Sequence, residues 1–239
     1  MAANAQVLRR PSDRSLFLIA AVVFPLLVLI GYARTYYFGS FFGAKPLATT
    51  LVHIHGFVMS TWVLYFVAQV ALVRSKNLKL HMSMGFLGIA LAALVVVVGM
   101  LTAWDAHMVR GVAPTGIPPH SFFLVPTFDM LLFVVFFAGA IYHRKRAAEH
   151  KTLMLMTAIN FIPAAVARIP LGIPPKFMIL QAFAIPFALG LAALAWHTRK
   201  HGKLNKTFAA ALALYALSLV RIPLAGSAIW LNFANWISS

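Results

Sequence analysis

The sequence predicts an all-α, polytopic integral membrane protein with seven transmembrane helices, N-terminus inside and C-terminus outside. Three observations carry that prediction. Hydrophobic residues make up 62% of the 239 residues and charged ones only 10%, too few polar groups to cover the apolar surface of a water-soluble domain. Apolar runs recur along the chain, each near the roughly 20 helical residues that cross a ~30 Å hydrocarbon core. Finally, fourteen of the 20 lysines and arginines fall in alternate loops, which the positive-inside rule assigns to the cytoplasmic face. The net charge of +16 is then a topology signal and an attraction to anionic lipid. Because that charge is dispersed over short loops beside apolar runs, no nucleic-acid partner is expected. The chain has no cysteine, hence neither a disulfide framework nor a thiolate ligand. It reads as one transmembrane domain, 1–239, in a prokaryotic cytoplasmic (inner) membrane, with a short polar tail over 1–14.

The first apolar run, 15–31, lacks a small-residue cleavage site after it and reads as a retained span rather than a signal peptide. The loop after it, 33–46, is crowded with Tyr36, Tyr37, Phe38, Phe41 and Phe42, either an interfacial aromatic belt or a lid over a cofactor. The second run, 51–73, carries the first chemistry. His55, Met59, Trp62, Phe66 and Gln69 fall on one helical stripe, while His53, two residues before His55, points about 200° away. A short basic loop leads to the third run, 82–103, with His81 at its inner end and Gly85 and Gly88 following. Small residues there allow close helix approach or admit the flat face of a macrocycle. The outer loop 104–119 holds Asp105, His107 and Arg110 before a stretch rich in glycine and proline, which cannot stay helical for long.

His120 opens the fourth run, 122–142, and Asp129 lies one or two turns beyond it. The chain has only four carboxylates, Asp13, Asp105, Asp129 and Glu149, and one at that depth must be paired or neutral. Arg168 and Arg221 are the expected partners. They follow the fifth run, 153–167, and the seventh, 208–220, in the same tripeptide, Arg-Ile-Pro, and both runs are preceded by Lys-Thr. Each arginine either snorkels to the interface or clamps Asp129, an anionic substrate or the carboxylates of a cofactor. His150 heads the fifth run from the inner side as His81 heads the third; the sixth, 177–196, ends at His197 and His201 among lysines and arginines, where a solvated imidazole is the ordinary outcome. The tail from 229 onward, with Trp230 and Trp236, reads as an interfacial anchor.

Taken by side, His55 is outer, His81 inner, His120 outer and His150 inner. Neutral imidazoles from facing helices at matched depth are what a haem iron needs. With the basic loop running into Lys79-Leu80-His81, the opening His120-Ser121 and His150 at the head of its helix, the region 51–171 resembles the cytochrome b-561 family of transmembrane di-haem electron carriers. The resemblance implies haem b, with His55 and His120 as ligands of one haem and His81 and His150 of the other. It also implies Arg168 or Lys79 near propionates or a reductant, and an electron donor, acceptor or quinone as partner. The chain also looks like uncharacterised prokaryotic multi-helix membrane proteins, which supply no function.

Two other functions stay open. His53, His55, His107, His120 and Asp105 could form an outer-face metal site for copper, zinc or iron. Alternatively Gln69, Asp129, Arg168 and Arg221 could line the pathway of a transporter. Either could operate as a homo-oligomer or within a membrane complex.

Overall fold

The computed structural model describes residues 14–174 and 177–238; the polar tail before residue 14 and Lys176 in its predicted outer loop lie outside them. Among the described residues the secondary structure is entirely helical. Helix α1, Arg14–Tyr32, runs on into a π-helical turn, Ala33–Tyr37; α2 is Thr50–Arg74; α3, Leu78–Trp104, also ends in a π-helical turn, Asp105–Val109. A short α4, Pro119–Phe122, leads through Phe123 into α5, Leu124–Tyr142, then α6, Ala147–Val166, and α7, Met178–His201. Helix α8, Lys206–Leu217, continues through a 3-10 turn, Ser218–Val220, into α9, Arg221–Ala225, and α10 is Ala228–Ser238.

Local chemistry sets the boundaries. Asn77 and Asn205 cap α3 and α8, their side-chain oxygens accepting from Leu80 N (3.2 Å) and Phe208 N (3.0 Å). The Asn77 cap starts α3 three residues before His81, so that histidine sits inside the first turn rather than ahead of it. Gly202, at φ 65°, ends α7 in the left-handed conformation. At the opposite end of the bundle the chain runs helically from Lys206 to Ala225, so Arg221 lies within a span where the sequence puts it at a helix end.

Six helical segments are long and apolar enough to cross a membrane: Ser15–Tyr37, Thr50–Arg74, Leu78–Val109, Pro119–Tyr142, Met178–His201 and Lys206–Ala225. They turn many large apolar side chains outward, among them Leu64, Phe86, Leu131, Leu180 and Leu217, as a lipid environment allows and water does not. Helix α6 differs from all six. It has no stretch as apolar as theirs, carrying Glu149, His150, Lys151 and Asn160, yet it packs on α1, α5, α7 and α8 and buries thirteen of its 20 residues. Protein encloses it, so it does not need the hydropathy that lipid demands of its neighbours.

The interior divides into three apolar clusters. One joins α1, α2, α3, α5 and α6 around Trp62, whose ring meets Phe133 at 5.0 Å, with Phe133 in turn stacked on Phe161 at 4.9 Å. A second, around Phe136, Met156, Phe183, Phe208 and Tyr215, joins α5, α6, α7 and α8. The third seals the end opposite the basic loops, where α10 lies on α4 with Trp230 stacked on Phe123 at 6.3 Å. Close backbone approach shapes the bundle at two glycines: Gly31 of α1 lies against the Ala165 backbone, and Gly88 of α3 makes room for the Tyr65 ring.

Candidate functional site

At the basic-loop end α3 and α6 bring His81 and His150 together, ring centroids 6.3 Å apart and edge to face. His150 Nδ1 is 2.8 Å from the Ala140 carbonyl oxygen. Since a carbonyl only accepts, Nδ1 carries a proton, and in the neutral imidazole Nε2 is then the nitrogen with the lone pair. That is the arrangement by which a backbone carbonyl orients a metal-binding imidazole. His81 Nδ1 is buried with no hydrogen-bond partner among the described residues.

The opposite end is organised differently. His55 lies on the stripe predicted for α2, with Trp62, Phe66 and Gln69 buried along it and His53 exposed beside it; its Nδ1 is buried and unpartnered, and the Arg168 charge lies near enough to act on it. His120 instead belongs to the α4–α10 contact: its Nδ1 is 2.8 Å from Asn235 Oδ1, and its carbonyl accepts from Trp230 Nε1 at 2.9 Å. His107 Nδ1 is 2.5 Å from the Val112 carbonyl, and Asp105 pairs with Arg110 at 2.8 Å. Among the described residues no three His, Cys, Asp or Glu side chains are grouped to hold a metal ion. The aromatic loop after α1 folds down on this end of α2, with Tyr36 OH donating to the His53 carbonyl (3.3 Å) and Tyr37 OH 2.8 Å from Ser60 Oγ.

Gln69 Nε2 donates to Tyr65 OH at 2.7 Å, and Tyr65 OH to the Met84 carbonyl at 3.0 Å, tying α2 to α3; Gln69 Oε1 has no hydrogen-bond partner among the described residues. The predicted partnership of Asp129 is resolved between the two arginines. Arg221 Nη1 donates to Asp129 Oδ1 at 2.6 Å and to the Val125 carbonyl at 3.2 Å. Arg168 is exposed and lies over the Tyr32 ring at 4.6 Å.

Around this ion pair sit two residues that the sequence reading leaves without a role. Asn160 Nδ2 donates to the Asp129 carbonyl at 2.8 Å, and Tyr215 from α8 lies within electrostatic reach of both Asp129 and Arg221. Both are fully buried. The signal was available for Tyr215, since tyrosines of membrane helices gather at the interface and this one stands mid-span. No family model, curated protein or solved structure matches the chain.

Proposed function

We propose that this chain is a membrane-embedded, histidine-ligated redox protein with a metal centre on His81 and His150, in its most specific form a b-type haem for transmembrane electron transfer. The observation that carries the reading is the meeting of those two imidazoles, one of them oriented by the Ala140 carbonyl. Two imidazoles suit iron, copper or zinc. A bound haem supplies one-electron chemistry; the chain supplies two imidazoles on separate helices, held in register by α3 and α6. His81 and His150 support one centre, on the inner side. The second centre of the cytochrome b-561-like arrangement has no comparable support, because His120 is engaged by Asn235. We further propose that α6 is a seventh span, packed among α1, α5, α7 and α8, which puts the N-terminus and the basic loops in the cytoplasm of a prokaryotic cell. The electron donor, acceptor or quinone would then meet the protein at that inner face.

The test is an optical spectrum of the detergent-purified protein, oxidised and dithionite-reduced, with metal analysis of the same sample. Sharp reduced bands and about one iron per chain are expected, lost in His81→Ala and in His150→Ala and kept in His120→Ala. A colourless, metal-free protein from cells supplied with haem precursors and metals would overturn the reading.

A further inference from the structure

The buried cluster around Arg221 is separate from the histidine pair and has its own chemistry. Arg221 is wholly inaccessible, and of its donor nitrogens only Nη1 is engaged, by Asp129 and Val125; Nε and Nη2 have no partner among the described residues. Tyr215 OH and Asn160 Oδ1, also fully buried, are unpartnered too. Arg221 Nε and Nη2 and the Tyr215 hydroxyl are three orphaned donors around one ion pair, more than packing requires, because a buried donor without an acceptor is costly.

The geometry restricts what could satisfy them. Arg221 Cζ lies over the Phe183 ring at 4.6 Å and the Phe128 ring at 6.0 Å, and its two unpartnered donors, Nε and Nη2, share one edge of the guanidinium plane. Two parallel N–H donors in one plane fit the two oxygens of a carboxylate. Charge then restricts the ligand further. Asp129 and Arg221 already cancel, so an anion entering alone would leave an uncompensated negative charge in a low-dielectric interior. One proton on Asp129 restores neutrality, and one only, which fits a monoanion. Asp129 is the member of the pair to take that proton, its side chain 15% accessible while that of Arg221 is wholly enclosed.

We propose that Arg221, Tyr215 and Asp129 form a binding site for a small monocarboxylate, which enters together with one proton, while Asn160 holds the Asp129 backbone carbonyl. The ligand's oxygens take Arg221 Nε–H and Nη2–H, Tyr215 OH donates a further bond, and Asp129 changes from carboxylate to carboxylic acid by accepting a proton from solvent. No other bond forms or breaks. The groups that bear on Asp129 are Arg221 from α9 and Tyr215 from α8; α6 presents Asn160, α7 the Phe183 ring beside Arg221, and α3 meets α5 through Gly99 against Met130.

The experiment titrates the purified full chain in weakly buffered detergent with sodium formate, acetate and lactate, following heat and proton uptake by an indicator dye. Saturable binding with about one proton taken up per carboxylate is expected, with inorganic phosphate at least tenfold weaker. Arg221→Lys keeps the charge but loses the two-donor edge and should weaken binding at least about tenfold. Tyr215→Phe should weaken it several-fold, and Asp129→Asn should retain binding while abolishing proton uptake. If Arg221→Lys does not fold, the other two variants decide. Failure of all three carboxylates to bind, binding without proton uptake by the wild type, or unchanged affinity in Tyr215→Phe would each overturn the proposal.

Discussion

Arg168 and Arg221 stand in the same tripeptide, Arg-Ile-Pro, and live in opposite environments. The first follows α6 in a turn, exposed, its guanidinium over Tyr32 and donating from Nη1 to the Ala164 carbonyl at 2.5 Å. The second is enclosed by α5, α7 and α8 and bonded to the carboxylate of Asp129. What separates them is where the helix stops. After Val166 the chain leaves the helix and runs toward Pro170, whereas from Leu217 a 3-10 turn tightens the path and carries helical backbone on to Ala225. A motif three residues long therefore says nothing about burial; the continuation of the backbone decides whether an arginine snorkels to the interface or becomes the counter-ion of a buried acid.

The largest effect that comparison predicts is at Arg221. Arg221→Ala leaves Asp129 as an unpaired carboxylate among apolar helices, and removing one partner of a buried pair costs about 3–5 kcal/mol. The detergent melting midpoint should fall by more than for any single change at this end of the bundle outside the pair itself. Asp129→Ala should cost about as much, and the double variant less than the two together, because neither charge is then stranded. Additive losses would show that the two side chains do not act as a pair.

Most of this architecture was legible in the sequence because lipid imposes a simple rule: helices that face it must be apolar for about 20 residues, and six of them are. Helix α6 is only partly legible: the sequence shows a run over 153–167 behind Lys-Thr, whereas the helix already starts at Ala147, and its central position is not visible; Glu149, His150, Lys151 and Asn160 lower its hydropathy because protein surrounds it. The pairing of an arginine with Asp129 followed from the cost of a buried charge, but which arginine would serve required knowing where α8 and α9 end. His81 and His150 were legible as a same-side pair because each heads a helix next to a basic loop. His55 and His120 share a side by the same reasoning. Their different fates rest on α10, whose Asn235 takes His120 from a distance of 115 residues along the chain, a contact no local pattern encodes.

A middle-sized effect is expected at Asn160. Replacing it with leucine conserves volume but removes the hydrogen bond to the Asp129 carbonyl, worth about 1 kcal/mol net. The Arg221–Asp129 pair should survive the change, so Asn160→Leu should lower the melting midpoint modestly. A loss matching that of Arg221→Ala would mean that Asn160 holds the pair together.

The smallest effect belongs to Arg168. Its guanidinium lies over the Tyr32 ring and donates to a carbonyl in its own turn, on an exposed surface where a cation–π contact contributes about 0.5–1 kcal/mol. Arg168→Ala should therefore shift the melting midpoint by no more than that amounts to. Its effect should add to that of Arg221→Ala, since the two arginines share no hydrogen-bond partner. Strong coupling between Arg168 and Arg221 would instead tie both Arg-Ile-Pro segments into one charged network, and the contrast between them would fail.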